Sequence, residues 1–157
     1  MRIVYAAAAA LLAVGACSQT PKVETDPGSG RVDVDVERPG QAERFNATLN
    51  AVGGSGVSGT ASAMDMSGAT HATITIRGGT AGGVHPWHIH EGRCGDTNPP
   101  IVGTPSAYPP LSVGGGGNAT AEAHVPVSLN EAKNYIVNVH ASPTNLGTII
   151  ACGDLND

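Results

Sequence analysis

Aromatic residues are nearly missing from the sequence: one Phe, one Trp and three Tyr in 157 residues. A core without rings must be built from Val, Ile, Leu and Ala. Basic residues are also few. Eight Lys and Arg stand against 13 Asp and Glu, giving a net charge of −5 with no basic cluster. A chain of this charge is a poor partner for phosphate backbones, so nucleic-acid binding is excluded. Long helical periods are absent as well, although Asn130 to Asn134 can make one turn. No apolar run reaches the ~20 residues that a membrane-spanning helix needs. What the sequence has in quantity is turn residues, 22 Gly and 11 Pro, which punctuate short segments.

The first sixteen residues follow a different logic. Arg2 gives a positive start, and Val4 to Val14 form a short alanine-rich apolar run, the pattern of a signal peptide over 1–16. The segment Val14-Gly15-Ala16-Cys17 resembles the lipobox of bacterial lipoproteins, which implies a lipid on Cys17; an ordinary secretory signal with an incidental cysteine is the alternative. Either way the domain leaves the cytoplasm. The lipidated reading places it in the cell envelope, anchored to a membrane by its acyl chains. Ser18, rather than an aspartate, points to the periplasmic side of the outer membrane. Residues 17–42 are polar and Pro/Gly-punctuated and read as a flexible tether. Within them Arg31 to Glu37 alternates and can form a stray strand.

Three cysteines are an awkward number for a secreted chain. With Cys17 given to lipid, Cys94 and Cys152 remain. They can pair in an oxidising compartment, closing a loop worth about 4 kcal/mol of chain entropy, or stay as two buried thiols.

From residue 43 to 157 the signal is short strands. Phe45, Ala47, Leu49 and Ala51 alternate with polar residues. Val57 to Met64 follows a glycine turn. In THATITIR (70–77), Ala72, Ile74 and Ile76 share one face. Then come Val84 to His90, Thr120 to Leu129, Tyr135 to His140 and Thr148 to Cys152. Such runs predict an all-β antiparallel sandwich or barrel. One connection breaks the rhythm: Gly92 to Gly117 reads as a long loop of Gly, Pro, Asn, Ser and Thr, and loops of that length are functional or disordered.

Chemistry is concentrated in histidines. In His88-Ile89-His90, residues two apart on a strand face the same way, about 6–7 Å apart at the backbone, so both imidazoles can reach one ion while Ile89 enters the core. Two surface histidines make the same pattern. In YIVNVH, Ile136, Asn138 and His140 share a face, so a second strand ends in an imidazole, and copper accepts such nitrogens. His71 lies among threonines and is expected to be exposed. His124, with Glu122 on the same face, reads first as a surface polar pair and second as a place for another metal.

The run GGVHPWHIHEGRCGD resembles the metal strand of copper/zinc superoxide dismutases. VNVH is similar to that family's later ligand strand, GGGGNATAEAHVPVSL to its strand entry after the metal loop, and ACGDL to its C-terminal cysteine segment. The likeness covers about residues 45 to 155, in the family's order. It implies a Greek-key β-barrel, copper held by His88, His90 and His140, a structural His85 whose ring bonds backbone, and a Cys94–Cys152 disulfide. It also implies dismutation of superoxide to oxygen and peroxide, an antioxidant activity. The departures matter too. Between Cys94 and Gly117 there is no histidine and one carboxylate, Asp96, so a zinc site is not expected. The family's anion-guiding arginine is replaced by Ile149; Arg93 is a weak substitute. A copper sequestration or delivery protein, or a metal-free structural domain, are the other readings of the same scaffold.

Overall fold

The computed structural model describes residues 22–25, 32–35, 43–66 and 68–156. The chain divides into two units, Met1–Pro39 and Gly40–Asp157. The expected signal peptide and the lipid cysteine Cys17 lie outside the described residues. In the first unit β1 (Lys22–Thr25) pairs antiparallel with β2 (Val32–Asp35), Val23 opposite Val34. The stretch expected to form a stray strand therefore has a partner.

The second unit is all-β. Its strands are β3 (Arg44–Ala51), β4 (Ser58–Asp65), β5 (Thr70–Arg77), β6 (Val84–His85), β7 (Trp87–Glu91), β8 (Leu111–Ser112), β9 (Ala119–Val125), β10 (Tyr135–Ser142) and β11 (Asn145–Leu155). Seven of them make one antiparallel sheet in the order β7-β10-β11-β3-β4-β5-β9. The connections from β5 to β7 and from β9 to β10 both cross from one end of that row to the other, a Greek-key arrangement. Alternation decides which face turns inward. Phe45, Ala47 and Leu49 of β3 and Ala72, Ile74 and Ile76 of β5 are buried, while Ala51 at the end of its row is exposed. These residues share one core with Ile89, Val137 and Val139 from the opposite end of the row, so the sheet curls upon itself.

Prolines set boundaries that periodicity misplaces. The expected strand Val84 to His90 breaks at Pro86, which has no N–H to give a ladder. Before the break, β6 pairs with β8 in a separate two-stranded sheet; after it, β7 joins the main sheet. Likewise β9 ends at Val125, just before Pro126, short of the expected Leu129. The last strand is longer than its apolar pattern, eleven residues instead of the run Thr148 to Cys152.

The stretch Gly92 to Gly117 is better anchored than its composition implies. It holds a single 3-10 turn (Pro105–Ala107) and β8, and it buries Val102, Tyr108, Leu111 and Val113. The Tyr108 hydroxyl donates to Val102 O at 2.7 Å, and Trp87 Nε1 donates to Pro109 O at 2.8 Å. A disulfide joins Cys94 to Cys152 across a sequence separation of 58 and staples this segment to β11.

One residue after that cysteine, β11 presses hard against β3. A Cβ at Gly153 would lie 2.4 Å from Thr48 O, whereas at Gly115 it would meet nothing within 4 Å. Gly153→Ala should therefore cost about 1–3 kcal/mol by overpacking, and Gly115→Ala should be near neutral. Urea denaturation of the two variants checks the contrast; equal midpoints would remove the close approach from the account.

Candidate metal centre

The site begins with strand register. In the pairing of β7 with β10, Trp87 lies opposite Val139 and Ile89 opposite Val137, while His88 lies opposite Asn138 and His90 opposite Ile136. Trp87, Ile89 and Val139 are fully enclosed. That apolar face goes to the core, so His88 and His90 must share the other one. His140 follows a register irregularity after Val139; its N–H donates to Pro86 O at 2.8 Å and it stands opposite Ile149 of β11. The three imidazoles meet with one ligand atom each, all within 4.8 Å of one another. All three side chains are buried, 4–5% exposed.

Backbone carbonyls then fix which nitrogens are free. His90 Nδ1 is 2.8 Å from Pro99 O, and His140 Nδ1 is 2.7 Å from Leu146 O. A carbonyl only accepts, so each Nδ1 carries the proton and each Nε2 keeps its lone pair. The His90 Nε2 is buried with no hydrogen-bond partner, an arrangement that costs free energy unless something occupies the position. His88 Nδ1 lies 3.0 Å from His140 Nε2. Tyr108 packs edge-on against the His88 ring, centroids 5.3 Å apart.

Burial lowers the pKa of all three. For His88 it does so to about 4, helped by the neighbouring His140 and His90. For His90 burial outweighs the Pro99 hydrogen bond, and for His140 it outweighs the Leu146 hydrogen bond. Three neutral imidazoles at pH 7 are the protonation state in which histidine binds a metal. The donor set thus fits a cation of imidazole preference, with outer carbonyls orienting the rings as second partners of metal ligands do.

Other candidate residues fall into place around this cluster. His85 Nδ1 donates to the backbone, 2.9 Å from Ala141 O and 3.2 Å from His140 O, so its ring supports the strand that carries His140. Arg93 follows His90 by three residues and is engaged by a neighbour. Its guanidinium donates to Asn134 Oδ1 at 2.9 Å, two residues before the Ile136 that stands opposite His90. Asp96 accepts from the Arg93 N–H at 2.7 Å and shapes a turn. His71 and His124 lie opposite each other on β5 and β9, strands that carry none of the triad. The carbonyls of Pro99 and Leu146 carry no sequence signal because every residue has one, and Tyr108 was hidden in an apparent loop.

Scanned against protein-family models the chain matches none, and no curated protein matches it.

The lowered pKa values fix a pH dependence. An unfolded histidine titrates near 6.5 and His88 in the fold near 4, so protonation favours the unfolded chain. Stability of the metal-free protein should be full above pH 6.5 and fall as pH drops toward 4. Thermal midpoints between pH 7.5 and 5, above most carboxylate titration, check this. His88→Gln should flatten the slope; an unchanged slope would contradict the neutral triad.

Proposed function

We propose that the chain is a copper-binding protein of the cell envelope that dismutates superoxide to oxygen and hydrogen peroxide. The observation that carries this is the buried group of three neutral imidazoles, two of them oriented by backbone carbonyls. Three imidazoles suit copper and zinc alike. The likeness of GGVHPWHIHEGRCGD, VNVH and ACGDL to copper/zinc superoxide dismutases selects copper. His90 and His140 would hold it through Nε2, and His88 through the Nδ1 that faces His140. Copper supplies one-electron chemistry, so that two superoxide ions and two protons give one oxygen and one hydrogen peroxide. The protein's own part is to keep the three imidazoles neutral, fix the directions of His90 and His140 and hold bulk water away by burial. The Val14-Gly15-Ala16-Cys17 sequence supports acylation at Cys17, and Ser18 after it supports a place on the periplasmic side of the outer membrane.

A second reading, copper sequestration or delivery, has its own support. Ile149, not a cation, stands opposite His140. The cations beyond His90 are engaged, Arg93 with Asn134 and Lys133 with Glu91 at 2.8 Å. Electrostatic steering, which raises association rates about tenfold or more, has no evident source at this centre. Slow turnover with firm copper retention follows from that.

Two measurements on the full-length chain separate these readings: a Cu(I) competition titration and superoxide consumption by the loaded protein. One Cu(I) per chain with rapid consumption supports the dismutase. One Cu(I) with negligible consumption supports delivery, and no Cu(I) binding defeats both. His140→Ala should weaken Cu(I) binding more than the roughly 10–100-fold that loss of an outer partner gives, whereas His71→Ala should leave it unchanged.

A further inference from the structure

The outer surface of the barrel carries a second set of donors that the copper reading does not use. His71 of β5 stands directly opposite His124 of β9, and Thr73 opposite Glu122. Glu122 and His124 are two residues apart on one strand and so share a face. The rings of His71 and His124 lie parallel, centroids 4.4 Å apart and 9° between planes. His71 Nε2 is 3.8 Å from Glu122 Oε2, beyond hydrogen-bonding distance. That nitrogen is shielded from solvent and has no hydrogen-bond partner.

This repeats the plan of the triad. There, a His-x-His pair on β7 meets a histidine from the neighbouring β10; here, a Glu-x-His pair on β9 meets a histidine from the neighbouring β5. We propose that His71, Glu122 and His124 form a second metal site, taking a borderline divalent cation such as Zn2+ through two imidazoles and one carboxylate, with water completing the shell. The distance suits it. Tetrahedral zinc with bonds of about 2.0–2.2 Å holds neighbouring donors about 3.4 Å apart, slightly less than the present nitrogen–oxygen separation. His124 must turn out of its stack to present a nitrogen, which its exposed position permits. The side chains of His71 and Glu122 are 34% and 63% exposed, so the cation need not shed all its water. A carboxylate is a poor ligand for soft Cu(I) but a good one for Zn2+. The two centres therefore differ in preference, and the second does not depend on the first being a copper site.

Zn2+ titration of the full-length chain, followed by NMR of the histidine ring signals, tests this. The His71 and His124 signals, assigned from His71→Thr and His124→Thr, should move together with a micromolar midpoint. Glu122→Gln and either threonine variant should raise that midpoint by at least about tenfold. Threonine suits an exposed strand position, and an unchanged circular dichroism spectrum reports that the barrel persists. Signals from His88, His90 and His140 report the triad separately, and failure of the copper reading shows in the Cu(I) titration instead. If the rings of His71 and His124 stay unmoved up to about 1 mM Zn2+, or only one moves, the site does not exist.

Discussion

The histidine triad depends on the register between β7 and β10. A slip of one residue would turn His88 and His90 into the core and Trp87 and Ile89 out of it. Trp87, Ile89 and Val139 have no measurable exposure and Val137 only 1%. Each such side chain gains about 1.5–3 kcal/mol from burial, so the wrong register would forfeit several of these terms and bury unpartnered imidazoles as well. The convergence of the histidines is thus enforced by apolar chemistry on the opposite face of the same strands. His140 needs one further device. The irregularity after Val139 leaves its N–H to pair with Pro86 O, so the residue that splits β6 from β7 also anchors the third ligand strand.

Much of this was readable in the sequence, and the unreadable parts share one cause. Alternation within THATITIR exposed a strand, and His88-Ile89-His90 declared two imidazoles on one side, because both are local patterns of period two. Which strand lies beside which is not local. Nothing in YIVNVH says that Asn138 will face His88, and nothing in the spacing of His71 and His124 says that their rings will stack. The segment Gly92 to Gly117 misled for another reason. Val102, Tyr108 and Val113 enter the core from irregular backbone and Leu111 from the two-residue β8, with no period to betray them. Pro99 and Leu146 contribute carbonyl oxygens, a group common to all residues.

That long segment does more for the site than cover it. It supplies Pro99 O to His90 and the Tyr108 ring to His88, and its start is joined through Cys94 to β11. The hairpin between β10 and β11 supplies Leu146 O to His140. The three rings are therefore oriented by pieces of chain that reach the site from different directions. A cation bound by the triad would link the long segment and the hairpin through the barrel strands, and its binding energy would add to that of the folded state alone.

Burial and charge at the triad pull in different directions. Enclosure keeps the imidazoles neutral and strengthens any interaction with a bound cation, because the local dielectric is low. The nearby positions offer little positive charge: Ile149 stands opposite His140, and Arg93, three residues past His90, is held by Asn134. On a chain of net charge −5, an approaching anion gains nothing at long range. Any attraction for an anion would come from a bound cation itself, at contact distance. The arrangement thus suits holding a cation more than attracting an anion.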